Sequence, residues 1–168
     1  MDALTRLGSL FAHPDEGYAA RARAAAVAHP PLASFASHAN ALGTAALQER
    51  FVTTFDLNPA AALEVGWHLF GEQYERGAFL VMLRDRLRAA HISEAGELPD
   101  HLQHVLSLVA TMRDDERGAF VARYLAPALE KIGAAVPEDN PFSDLVRVTR
   151  EVMEAAGQAA RTSERHDD

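Results

Sequence analysis

Apolar residues recur along this chain at steps of three and four, the spacing that gathers side chains on one face of an α-helix. Leu98, Leu102, Val105, Val109 and Met112 form one such stripe, with steps of four, three, four and three. Alanine is abundant, β-branched residues are sparse, and no stretch alternates as a half-buried strand does. Breaks fall at Pro14, His29-Pro30-Pro31, Asn58-Pro59, Gly96, Pro99, Pro137 and Asn140-Pro141. The pattern predicts helices near residues 3–12, 15–28, 32–54, 59–70, 73–91, 99–112, 115–133 and 142–160, the third breaking near Gly43. It describes an all-α, single-domain helical bundle over residues 1–160, with a disordered polar tail at 161–168.

Several positions carry a finer expectation. Asn58 and Asn140 each precede a proline, so each is placed to cap orphan amides while the proline opens the helix. Pro127 interrupts an otherwise continuous pattern, removing the hydrogen bond to the Arg123 carbonyl and predicting a kink. Glu72 and Arg76 are spaced for a pair on a helix surface. Pro99 is expected to start a helix, with Asp100 in its first turn facing the positive end of the dipole.

Composition narrows the function. A chain of 168 residues with 48% hydrophobic and 24% charged residues is long enough for one real core. It has no cysteine, which removes disulfides, thiolate metal sites and cysteine nucleophiles, and suits the cytosol. The first residues, Met1-Asp2-Ala3-Leu4-Thr5-Arg6, do not read as a secretion signal. The longest strongly apolar run, Phe79 to Leu83, falls far short of the ~20 residues a spanning helix needs. A cytoplasmic protein without stable membrane association is therefore expected. The 24 acidic residues outnumber the 16 Lys and Arg, giving a net charge of −8. That balance argues against nucleic acid as a partner and suits a basic one.

No catalytic constellation stands out. The chain lacks a Gly-x-Ser-x-Gly elbow, a phosphate-binding glycine loop and a dinucleotide signature. His101 and His104 share a helix face and keep a helical metalloenzyme open as an alternative. The Glu-x-x-His pairs of helical di-iron proteins are missing, and the expectation is no metal site. Leu63, Trp67, Phe70 and Tyr74 fall roughly on one face if a helix continues through Gly71. Such a row is ordinary core, and equally the material of a groove for an amphipathic peptide. A helical adaptor for a folded partner remains a third reading.

Three blocks carry a family resemblance. Phe51-Val52-Thr53-Thr54-Phe55-Asp56-Leu57 with Asn58-Pro59-Ala60 is similar to the start of the core in NarJ-like chaperones, the nitrate reductase delta subunits. His68-Leu69-Phe70-Gly71-Glu72 followed by Arg76-Gly77 resembles their His-x-x-Gly-acidic segment. Glu97-Leu98-Pro99-Asp100-His101-Leu102 looks like the signature shared with the wider TorD family. The opening, Phe11-Ala12-His13-Pro14-Asp15-Glu16, is more weakly similar to the family's first helix-break-helix. The resemblance spans roughly residues 7–135 and is densest over 51–110.

It implies a helical bundle with no catalytic activity and no bound cofactor. The implied partner is the catalytic subunit of a molybdenum oxidoreductase, bound at its N-terminal twin-arginine leader or a remnant of one while the molybdenum cofactor is inserted. Trp67, Phe70 and Tyr74 would then wall an apolar groove, and Glu97, Pro99, Asp100 and His101 would help hold the peptide. Asp100, with Glu97 or Glu72, would meet its arginines. Gln103 and Ser107 stand where the family often has proline and an acidic residue, and Gln73-Tyr74 where nitrate reductase chaperones commonly carry Ser-Arg. The resemblance thus implies a molybdenum oxidoreductase without singling out nitrate reductase.

Overall fold

Short polar residues and prolines set where the helices begin, and a computed structural model describes the outcome for residues 2–164. The Asp2 carboxylate accepts the Leu4 amide at 2.8 Å and opens α1 (Ala3–Gly8). Next come α2 (Tyr18–Ala28), α3 (Ala33–Leu42) and α4 (Thr44–Phe51), the last two separated at Gly43. The short α5 (Val65–Phe70) and the longer α6 (Tyr74–Ala89) form the centre of the chain. They are followed by α7 (Leu102–Thr111), α8 (Asp114–Phe120), α9 (Ala126–Ala135) and α10 (Phe142–Glu164). Among the described residues there is no strand, as the periodicity predicts. α10 runs four residues beyond its expected end at 160, and residues 165–168 of the expected tail lie outside the described residues.

Two helices contain a π-helical turn, and each has a local cause. At Val52–Asp56 the Thr54 hydroxyl donates to the Arg50 carbonyl at 2.6 Å, and Thr53 to the Glu49 carbonyl at 3.0 Å. Those hydroxyls compete for the preceding turn's acceptors, and the Leu57 amide reaches back to the Val52 carbonyl. At Val121–Leu125 the cause is Pro127, which has no amide for the Arg123 carbonyl. The Ala126 amide bonds the Val121 carbonyl, so the helix passes the proline through a widened turn.

The core is organised by aromatic rings. Phe142, fully buried at the start of α10, meets Phe35, Phe51 and Phe55 with ring centroids 5.3–5.6 Å apart. One residue thereby ties α10 to α3, α4 and the first π turn. The expected cap at Asn140 is present: its Oδ1 accepts the Phe142 amide at 2.9 Å, while its Nδ2 donates to Thr54 at 2.8 Å. Asn58 makes no such cap, because Pro59 starts only a 3-10 turn, Pro59–Ala61. Tyr18, also fully buried, donates its hydroxyl to the Leu10 carbonyl at 2.6 Å. Around this centre α10 packs on α8 and α9, α1 on α7, and α5 against both α6 and α9.

Removing the Phe142 ring deletes three aromatic contacts at once. Phe142→Ala is expected to lower unfolding stability by about 3–5 kcal/mol in chemical denaturation. A loss below ~1 kcal/mol would show that this ring does not organise the core.

Candidate functional site

The middle of the chain departs from the single predicted helix over 59–70, and that departure builds the site. After the Pro59–Ala61 turn the backbone extends, and α5 starts only at Val65. Gly71, with φ +57°, ends α5 and turns the chain before Tyr74 opens α6. The helix therefore does not carry through Gly71, and the expected row is divided. Leu63 is buried core; Trp67 is half-buried and donates Nε1–H to the Pro59 carbonyl at 3.0 Å. Phe70 is half-buried, whereas Tyr74 is 91% exposed.

The helix predicted over 99–112 also begins late, at Leu102. Pro99 is buried in the turn before it, and His101 is the cap, its Nδ1 accepting the Gln103 amide at 3.3 Å. Asp100 is not in that helix's first turn. It has no exposed surface, and its Oδ2 accepts the Gly66 amide of α5 at 2.9 Å. The Asp100 carbonyl accepts the Val65 amide at 2.9 Å, and the Leu63 carbonyl accepts the Leu102 amide at 2.8 Å. Glu64 and His101 thus face each other in an isolated antiparallel bridge, and α5 and α7 begin side by side.

Arg76 lies 3.5 Å from Asp100 Oδ2, a long ion pair, where the sequence predicted pairing with Glu72. Burial pushes the Asp100 pKa up, against the pull of Arg76 and the Gly66 amide. Gly66 is required by this approach: a Cβ there would sit 2.7 Å from Asp100 Oδ2 and 3.0 Å from Phe79. Asp100 therefore positions α5 and does not present its carboxylate at the surface. The far end of α5 is held by Lys131, whose Nζ donates to the His68 carbonyl at 2.7 Å.

Two concavities lie at opposite ends of α5. At its C-terminal end an apolar groove of about 530 Å³ is lined by Leu69, Phe70, Tyr74, Ala78, Phe79, Met82 and Tyr124, with Glu75 and Arg123 among its polar groups. Phe70, Phe79 and Tyr124 form a chain of rings with centroids 5.5 and 5.0 Å apart. At the N-terminal end a cavity of about 420 Å³ is lined by His13, Asp56, Glu64, Glu97 and His101 against Phe51, Phe55, Ala62 and Leu63. Each concavity borrows residues from a π turn, Tyr124 in one and Asp56 in the other.

Sequence reasoning reached Phe70, Tyr74, Glu97 and His101, and the structure divides them between the two concavities. Trp67 lines neither, and Glu72 is exposed outside both. Tyr124, Phe79 and Met82 were missed, as were His13, Asp56 and Glu64. The only available signal was that His13 and Asp56 sit inside the recognised blocks.

Burial sets the electrostatics here. It raises the Glu64 pKa, with Asp100 and Glu97 adding to the effect, and raises Asp56 against the pull of His13. It lowers His101 to about 4, with His104 contributing, so that ring is neutral at physiological pH. His101 and His104 have ring centroids 5.9 Å apart. Among the described residues, no three His, Asp or Glu side chains are grouped to hold a metal ion.

Fold and site together define an all-helical protein with an apolar groove and an acidic cavity at the two ends of one short helix. The chain belongs to the nitrate reductase delta subunit family, which its residues 19–138 match. Over 113 residues it is 27% identical to a Bacillus subtilis (strain 168) protein named probable nitrate reductase molybdenum cofactor assembly chaperone NarJ. That alignment takes in 67% of this chain and 61% of the relative's length. Among the described residues no helix is long and apolar enough to cross a membrane.

Two measurements check this description. Asp100→Ala leaves the Gly66 amide and Arg76 without their acceptor and is expected to cost about 3 kcal/mol, with Asp100→Asn recovering part because its oxygen still accepts the amide. Equal stability of all three chains would remove Asp100 from its positioning role. The second concerns acid. The folded-state pKa of His101 lies below its unfolded value, so the unfolded chain takes the proton first, and stability falls as pH drops from 6.5 towards 4. His101→Asn replaces the capping Nδ1 with an amide oxygen and should lose on the order of 2 kcal/mol less than wild type between pH 7 and 4.5. Identical pH profiles would contradict the buried neutral ring.

Proposed function

We propose that this chain is a cytoplasmic chaperone for a molybdenum oxidoreductase of the nitrate reductase type. It binds the N-terminal segment of the catalytic subunit and holds that subunit while the molybdenum cofactor is inserted, before assembly or export. The reading assigns the chain no reaction and no cofactor of its own. Family membership supports it, as does the name of the Bacillus relative.

The observation that carries the reading is the aromatic groove. A groove of this size walled by Phe70, Phe79 and Tyr124, with an exposed Tyr74 at its edge, is suited to the apolar face of a short amphipathic helix. An N-terminal segment offers such a face before its subunit has folded around the cofactor. Ordering that segment would keep it from export and from aggregation while the subunit stays open. Glu75 and Arg123 supply polar groups for the peptide's other face.

The test is capture of the catalytic subunit co-expressed from the same genome, with the molybdenum content of that subunit measured beside it. Tyr74 is almost wholly exposed, so Tyr74→Ala should keep the thermal midpoint of the chain. Capture is expected to fall at least ~10-fold, and molybdenum loading with it, as for loss of an aromatic interface anchor. A folded Tyr74→Ala that captures the subunit as before would move recognition away from this groove.

A further inference from the structure

We propose that Arg123, at the rim of the aromatic groove, receives an acidic side chain of the segment seated there, so that the groove selects a helix carrying a carboxylate beside its apolar face. This rests on the function proposed above for the groove and adds the chemistry of its occupant.

Arg123 departs from the pattern of the other arginines. Acidic residues outnumber basic ones in this chain, 24 to 16. Arg21, Arg84, Arg86, Arg117 and Arg147 each hold a carboxylate at 2.7–3.1 Å. Arg123 lines the groove, yet among the described residues its guanidinium makes no ion pair within 4 Å and no hydrogen bond. Glu75 lines the same groove without pairing to it. Glu75 has a role within the chain, as an acid in the first turn of α6, where the helix dipole favours negative charge. Arg123 has no matching role, because it sits inside the second π turn and the helix runs on into α9.

The arginine is nevertheless ordered. Its guanidinium lies over the Tyr124 ring, 5.1 Å from the centroid. Tyr124 is itself held between Phe79 and Phe120, with centroids 5.0 and 5.1 Å away, and both phenylalanines are buried. A stacked guanidinium spends its face on the ring and keeps its in-plane N–H donors. A cation with unspent donors thus stands at the rim of an apolar groove, on a platform that packing fixes.

The occupant has to supply acceptors for those donors. A helical segment spends its backbone carbonyls on its own amides, except in its last turn. The acceptor it offers along its side is a side chain, and a carboxylate matches the planar fork with two parallel hydrogen bonds. Exposed ion pairs add little, because water competes and two side chains must be ordered. Here the stack orders one partner in advance, and an apolar face laid into the groove shields the pair from water.

The experiment is a coupling measurement. The N-terminal segment of the catalytic subunit encoded in the same genome is made as a synthetic peptide, and each of its Asp and Glu residues is changed in turn to the amide. Binding is measured by calorimetry to wild type, Arg123→Gln and Arg123→Lys, each with its thermal midpoint recorded. One acid is expected whose change weakens binding to wild type about 10-fold, the loss of hydrogen bonds to a charged group. The same change should leave binding to Arg123→Gln unaltered, and Arg123→Lys should fall between, keeping the charge without the fork. The peptide substitutions leave the protein untouched, so the first result stands whatever the variants do to stability. A peptide that binds without any acid mattering would overturn the proposal, as would an acid whose loss costs the same in Arg123→Gln as in wild type. Binding that is lost in Tyr74→Ala but indifferent to Arg123 would keep the groove as the recognition site and remove this role for the arginine. A peptide that does not bind wild type at all would count against both.

Discussion

Two helices that begin side by side leave unbonded amides pointing into the same space, and burying them without acceptors costs more than most contacts return. In this protein α5 and α7 meet that constraint by satisfying each other. The Asp100 carbonyl and carboxylate take the first two amides of α5, and the Leu63 carbonyl takes the first amide of α7. His101 closes the remaining gap by accepting the Gln103 amide. The geometry works only because Gly66 has no side chain, so that a carboxylate 34 residues along the chain can reach the backbone.

What lies on either side depends on that junction. Glu64, immediately before α5, borders the acidic cavity, and Leu69 and Phe70, at its other end, border the aromatic groove. A six-residue helix has little stability of its own. Its place is set by the bonds at its start, by Lys131 at its end, and by packing against α6 and α9. The two π turns then bring Asp56 and Tyr124 to the cavity and the groove respectively.

Much of the architecture was legible in the residues. Helical periodicity, the Gly43 break, the Asn140 cap and the disturbance at Pro127 all follow from local chemistry. Three of the errors share one cause, which is that a contact distant in sequence outweighed a local preference. Residues 59–70 look helical, yet Val65 and Leu102 bond across a bridge and delay both helix starts. Asp100 beside Pro99 reads as a first-turn acid, yet it serves the neighbouring helix. Glu72 and Arg76 have the right spacing, yet Asp100 takes the arginine. The groove was half visible, because Tyr124 reaches Phe79 only through the packing of separate helices. The resemblance located the Pro-Asp-His block, and the structure gives its residues different tasks: burial for Pro99, positioning for Asp100, and capping of α7 for His101.

The central claim is that an unfolded N-terminal segment of a partner lies in the groove beside Tyr74. Photo-crosslinking tests it most directly, with p-benzoylphenylalanine replacing Tyr74 in cells that also express the molybdenum oxidoreductase. Position Val27, exposed on α2 away from the groove, serves as the control. The account predicts an adduct from position 74 to the first residues of the catalytic subunit, and none from position 27. Adducts from position 74 that map only to folded interior regions of that subunit, or crosslinking to the N-terminus from position 27 and not from 74, would contradict it.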